Sequence, residues 1–118
     1  MKKELDTLLN MIANNYAEWT ERFYMSEGYD MDRAHQRVQE FADGLVIEEG
    51  RKYYKVIKTD SGRSVWGFVV KGDDDKKFRK GDILKAAGWK APARNKPRGN
   101  ILDGDFSMVR WTGPAYLH

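Results

Sequence analysis

Nine basic residues crowd the stretch from Lys76 to Arg98: Lys76, Lys77, Arg79, Lys80, Lys85, Lys90, Arg94, Lys96 and Arg98, against one acid, Asp82. From Ile83 to Ile101 there is no acid at all. Ammonium and guanidinium groups at this density neutralise phosphates, and the counterions they displace make such binding favourable and salt-sensitive. Trp89 interrupts the run with an indole face able to stack on an unpaired base. Gly88 and Gly99 permit backbone geometries that bring amides close to a phosphate, and Asn95 and Asn100 carry groups suited to base edges. The candidate nucleic-acid-binding set is Lys85, Trp89, Lys90, Arg94, Lys96 and Arg98. The competing reading makes Trp89 a core anchor, with Pro92 and Pro97 stiffening a loop whose cations only keep it solvated. The burial of Trp89 separates the two.

Catalytic chemistry finds little to work with. The two histidines are His35, beside an apolar helical stripe and best read as structural, and His118 at the end of the chain. There is no Gly-x-Ser-x-Gly elbow, phosphate-binding P-loop, dinucleotide fingerprint or His-Glu-x-x-His pair. The absence of cysteine removes disulfides, thiol catalysis and cysteine-based zinc sites together. Asp73-Asp74-Asp75 has oxygens for a hard divalent cation. It lacks the alternating spacing of a calcium loop, however, and Lys76-Lys77 follow at once, so it reads as a solvated turn, as does Asp103-Gly104-Asp105. The expectation is a binding protein rather than an enzyme, with neither metal nor cofactor.

Several elements must position the basic segment. Leu5, Leu8, Leu9, Ile12, Tyr16, Trp19 and Phe23 recur at three- and four-residue steps, which predicts an amphipathic helix over residues 3–24. Gly28 breaks it. Asp30 is a good N-cap for a second helix ending near Asp43, with Gly44 as its stop and Met31, Ala34, Val38 and Phe41 as its stripe. After Gly44 the period changes. Leu45-Val46-Ile47 is a short apolar run, and YYKVIK (53–58) and SVWGFVV (64–70) read as strands joined through the turn residues 59–63. Strict alternation would put Val65, Gly67 and Val69 on one face and Trp66, Phe68 and Val70 on the other. Both faces are apolar, so this strand is expected to be central or covered. Residues 82–87 fit a short strand or one helical turn, and Phe106–Trp111 reads as a last strand. The predicted fold is α+β, with two N-terminal helices packed on a small antiparallel β-sheet.

Size and charge frame that fold. The 118 residues suit a single domain, with a helical part over 1–44 and a β part over 45–118. Residues 1–50 carry five Lys/Arg against eleven Asp/Glu, whereas residues 51–118 carry sixteen against seven. Such asymmetry points to a polyanion on the basic half, or to attraction between the halves. A helix-turn-helix reading of the first half fails on charge, because the would-be recognition helix over 31–43 has a balance of −1. No apolar stretch is long enough to span a bilayer, and the N-terminus lacks the apolar core of a signal peptide, so the expected compartment is the cytoplasm and no membrane partner is expected.

The run KGDILKAAGWKAPARNKPRGNIL (80–102) and the ending RWTGPAYL (110–117) resemble a group of small uncharacterised proteins of tailed bacteriophages, cyanophages among them. The resemblance extends from about Tyr53 to the end and leaves out the helical half. It implies a phage origin and the cytoplasm of an infected host, and it carries over no activity, cofactor or site residue. Two function classes follow as expectations: an accessory protein binding single-stranded or non-specific nucleic acid through the basic loop, or a protein-binding module that inhibits or recruits a host factor, such as an acidic host protein.

Overall fold

The computed structural model describes residues 1–116; His118 lies outside them. Helix α1 (Lys2–Glu27) and helix α2 (Met31–Asp43) form a hairpin. Gly28, at φ 72°, closes α1 in the left-handed conformation, and the Tyr29 N–H returns to the Tyr24 carbonyl at 2.8 Å. The Asp30 carboxylate caps α2 by accepting from the Asp32 N–H at 3.0 Å. Gly44 follows α2 with ordinary helical dihedrals. A side chain is excluded there by space, since a Cβ would lie 2.0 Å from Thr59 Oγ1.

Strands β1 (Val46–Glu49), β2 (Tyr53–Lys58), β3 (Ser64–Val70) and β4 (Ile83–Lys85) make an antiparallel sheet in chain order. The central position of β3 follows from its two apolar faces. Residues 82–87 thus resolve as a strand of three residues. On one sheet face, Leu5, Leu8 and Ile12 of α1 pack with Val56, Trp66, Val69 and Ile83, and Ile101 and Val109 complete this core. Each fully buried aliphatic contributes about 1.5–3 kcal/mol. The core therefore draws on both the helical and the β parts of the chain. The other face carries a smaller cluster of Phe68, Val70, Leu84 and Phe78, the last from the β3–β4 connection.

Two expectations need correction. Trp66 does not share a face with Phe68 and Val70; it joins Val69 in the helix-side core, while Val65 packs with the opposite cluster. A β-bulge is the cause: the register slips between Val56 and Ile57, leaving Trp66 unpaired and re-aimed inward. Its indole N–H donates to the Arg110 carbonyl at 2.6 Å. Nor does Phe106–Trp111 form one strand. Only β5 (Val109–Arg110) is extended, pairing with β6 (Gly113–Pro114) as a separate two-stranded sheet. The Asp105 carboxylate curls the chain first by accepting from the Ser107 N–H and hydroxyl, and residues 111–112 reverse it again. Among the described residues, no helix is long and apolar enough to cross a membrane.

Candidate nucleic-acid interface

Apart from β4, the basic segment has no regular secondary structure, yet its backbone is held firmly. After β4 the chain reverses at residues 87–91, where the N–H groups of Ala87 and Gly88 donate to the Ala91 carbonyl. It then returns beside β4. Ala93 N–H meets Lys85 O at 2.7 Å, Arg98 N–H meets Ile83 O at 2.7 Å, and Ile83 N–H meets Gly99 O at 2.9 Å. The segment thereby covers an edge that would otherwise expose unpaired backbone groups. Gly99, at φ 120°, allows the close approach of the 100–105 turn, since a Cβ there would lie 2.5 Å from the Asp105 carbonyl. Its conformational freedom serves packing rather than a phosphate cradle.

Trp89 sits at the tip of this excursion and is 44% exposed, so it is not a core anchor. The pairing of Lys55 with Phe68, and of Phe68 with Leu84, puts Lys55 on the sheet face away from α1. Its ammonium lies 4.6 Å from the Trp89 ring centroid, and the Arg63 guanidinium lies 5.7 Å from it. Both distances fall in the range of cation–π attraction. Lys90 is exposed next to Trp89 and, with Lys52, Lys55, Tyr53 and Glu48, lines a shallow depression of about 250 Å³. Glu48 pairs with Arg63 at 3.0 Å, so the patch is mainly but not purely cationic.

The remaining predicted residues divide. Lys96 is exposed. Arg94 is exposed, but its charge is spent: it grips both Asp75 oxygens at 2.9 and 3.0 Å, donates to the Tyr53 hydroxyl and lies 4.9 Å over Phe78. Arg94 foremost, with the Lys77 and Phe78 amides, holds the Asp75 carboxyl far below the usual carboxylate range, and Asp75 in turn raises the Arg94 guanidinium. The aspartate run therefore supplies an anchor for the basic loop.

Lys85 and Arg98 turn away from Trp89. Lys85 shares the helix-side face with Ile83 and pairs with Gly67; its ammonium donates to the Pro114 carbonyl at 2.9 Å and lies 3.8 Å over Tyr116. Burial, and then the nearby Arg98 charge, lowers its pKa. Arg98 is only 3% exposed and donates to Asn95 Oδ1 and to the Lys96 and Ala115 carbonyls. Asn100 is likewise 3% exposed, spanning the Lys80 carbonyl, Asp82 and the amides of Leu102 and Asp103. Arg98 and Asn100 are thus structural, because a buried polar group needs its partners inside the fold, and the half-buried Lys85 is tied to the Pro114 carbonyl and the Tyr116 ring. Asn95, occupied by Arg98, serves the same loop.

The two cations at the Trp89 ring, Lys55 and Arg63, escaped the sequence reading. Alternation along YYKVIK places Lys55 on the face of Tyr53, a signal that was available. Arg63 reaches Trp89 from the β2–β3 turn, and no local pattern announces that contact.

The chain belongs to a family of unknown function, DUF7717, whose description matches residues 2–117 and so includes the helical half. No curated protein and no solved structure matches it.

Proposed function

We propose that this protein binds nucleic acid, single-stranded or without sequence preference, through Trp89 and the cations around it. The carrying observation is the exposed indole with Lys55 and Arg63 at its ring and Lys90 beside it. An exposed aromatic on a cationic surface stacks a base while the charges meet flanking phosphates. Arg94, Lys85 and Arg98 act as positioning residues that fix the loop. The resemblance to bacteriophage proteins agrees with an accessory role in the cytoplasm of an infected cell.

The test is fluorescence anisotropy of labelled single- and double-stranded DNA and RNA at low salt, with Trp89→Ala beside the unaltered protein. Loss of one stacked base is expected to weaken single-strand binding roughly 5- to 150-fold, about 1–3 kcal/mol. An unaltered protein that binds none of the probes contradicts the reading.

A second reading, the protein-binding module, draws on Glu48 within the patch, since a surface of mixed sign suits a protein partner carrying both charges. A stoichiometric partner retained from bacterial lysate after nuclease treatment, and lost with Trp89→Ala, would favour it.

A further inference from the structure

The helical hairpin leaves an aromatic face uncovered. Rings run in contact from the core outward. Tyr16 meets Trp111 at 5.1 Å between centroids, Trp111 meets Trp19 at 5.4 Å, Trp19 stacks on Phe23 at 5.7 Å, and Phe23 meets Tyr29 at 5.9 Å. Tyr16 is buried, but Trp19, Phe23 and Tyr29 are 52%, 42% and 53% exposed. Aromatic side chains present about 150–250 Å² each, so these three leave about 300 Å² bare. That is the size of the largest apolar patch on an ordinary monomer, where such patches are often functional. Doubled by a two-fold axis it supplies about 600 Å² of apolar area, which at the usual apolar share gives an interface of about 1,000 Å² in total, the range of weak, reversible association.

The charges around the patch indicate what covers it. Glu18 and Arg22 flank Trp19 on a groove of about 490 Å³ between α1 and the β5–β6 turn, whose other side carries Arg110, its guanidinium donating to the Ser107 and Val109 carbonyls. They are one helical turn apart and both exposed, yet among the described residues neither forms an ion pair with the other or with anything else. An acid and a base equally spaced about one point are complementary to themselves under two-fold rotation. Two antiparallel copies of α1 related by a two-fold axis at the level of residue 20, with the buried Thr20 side chain turned away from it, set Glu18 of each against Arg22 of the other, the self-complementary pattern of an isologous interface. Trp19 of each copy then falls within about two residues, about 3 Å along the axis, of both Trp19 and Phe23 of the other, as in the seam of a helical bundle.

We propose that the protein is a homodimer in which α1 pairs antiparallel with α1 of a second copy around Trp19. This is independent of the nucleic-acid reading; if both hold, each dimer presents two Trp89 surfaces, and binding to a long strand gains from avidity.

Sedimentation equilibrium over a micromolar to submillimolar series tests the proposal, with circular dichroism confirming that each variant is folded. The unaltered protein is expected to dimerise. Glu18→Arg and Arg22→Glu, each placing like charges across the axis, are each expected to weaken dimerisation at least about tenfold. The double variant E18R/R22E restores the reciprocal pairs and is expected to recover the dimer. A chain that stays monomeric throughout, as it would if a foreign protein covered this face, overturns the proposal. So does a dimer indifferent to both single variants, or a double variant that remains monomeric while the unaltered protein dimerises.

Discussion

Arg94 donates to both oxygens of Asp75 while its guanidinium lies over Phe78, and that arrangement gives the basic loop an acid-sensitive anchor. The folded Asp75 carboxyl has a lowered pKa, so its contribution is fully present above the ordinary carboxylate range and is lost as pH falls through the folded value. Asp103, lowered by the Arg79 guanidinium, acts in the same direction. Asp75→Asn is therefore expected to melt below the unaltered protein at neutral pH. The gap should narrow as pH falls from about 5 towards 2, because the carboxyl of the unfolded chain takes up a proton there while the native one stays ionised. Thermal melts across that range check this, and a gap independent of pH would show that Asp75 matters only as a neutral acceptor. At this scale the sequence was a partial guide. A cation count ranks Lys85, Arg94 and Arg98 with Lys90, because charge is a property of residue type. Their inward partners, the Pro114, Ala115 and Lys96 carbonyls and Asp75, depend on how the chain returns beside β4.

At the scale of elements, local chemistry was readable where it acts over a few residues. The Asp30 cap, the Gly28 stop and the turn residues between β2 and β3 belong to short-range rules, and the two helices and first three strands follow from them. Period-two alternation failed at Trp66 because a bulge adds a residue that no pattern within β3 encodes; the indole's partner is the Arg110 carbonyl, 44 residues away. The last predicted strand failed because Asp105 offers its backbone neighbours a competing set of hydrogen bonds. Gly67, next to the bulge, lies under Pro114. A Cβ there would fall 2.9 Å from the Leu84 carbonyl and 3.1 Å from Pro114 Cγ. Gly67→Ala is therefore expected to cost about 1–3 kcal/mol as an overpacked core site. Denaturant melts measure it, and an unchanged midpoint would mean that β6 moves aside freely.

Across the whole molecule, the charge asymmetry noted in the sequence acquires a geometry. α1 packs one sheet face, whereas Trp89, Lys55, Arg63 and Lys90 gather on the other. The acidic helices are thus held on the face opposite the cationic patch, while Glu48 of β1 stays within it. The extents of 50 × 27 × 26 Å describe an elongated body. The central claim is that this patch, and not the basic run as a whole, carries polyanion binding. The most direct measurement is the slope of log K against log salt for a single-stranded oligonucleotide. It is taken with the unaltered protein, with K55A/K90A on the patch and with Lys85→Met on the opposite face. Each lost phosphate contact should reduce the slope by about 0.7 for a single strand. The account predicts a shallower slope for K55A/K90A and an unchanged one for Lys85→Met. A slope that falls with Lys85→Met but not with K55A/K90A would contradict it.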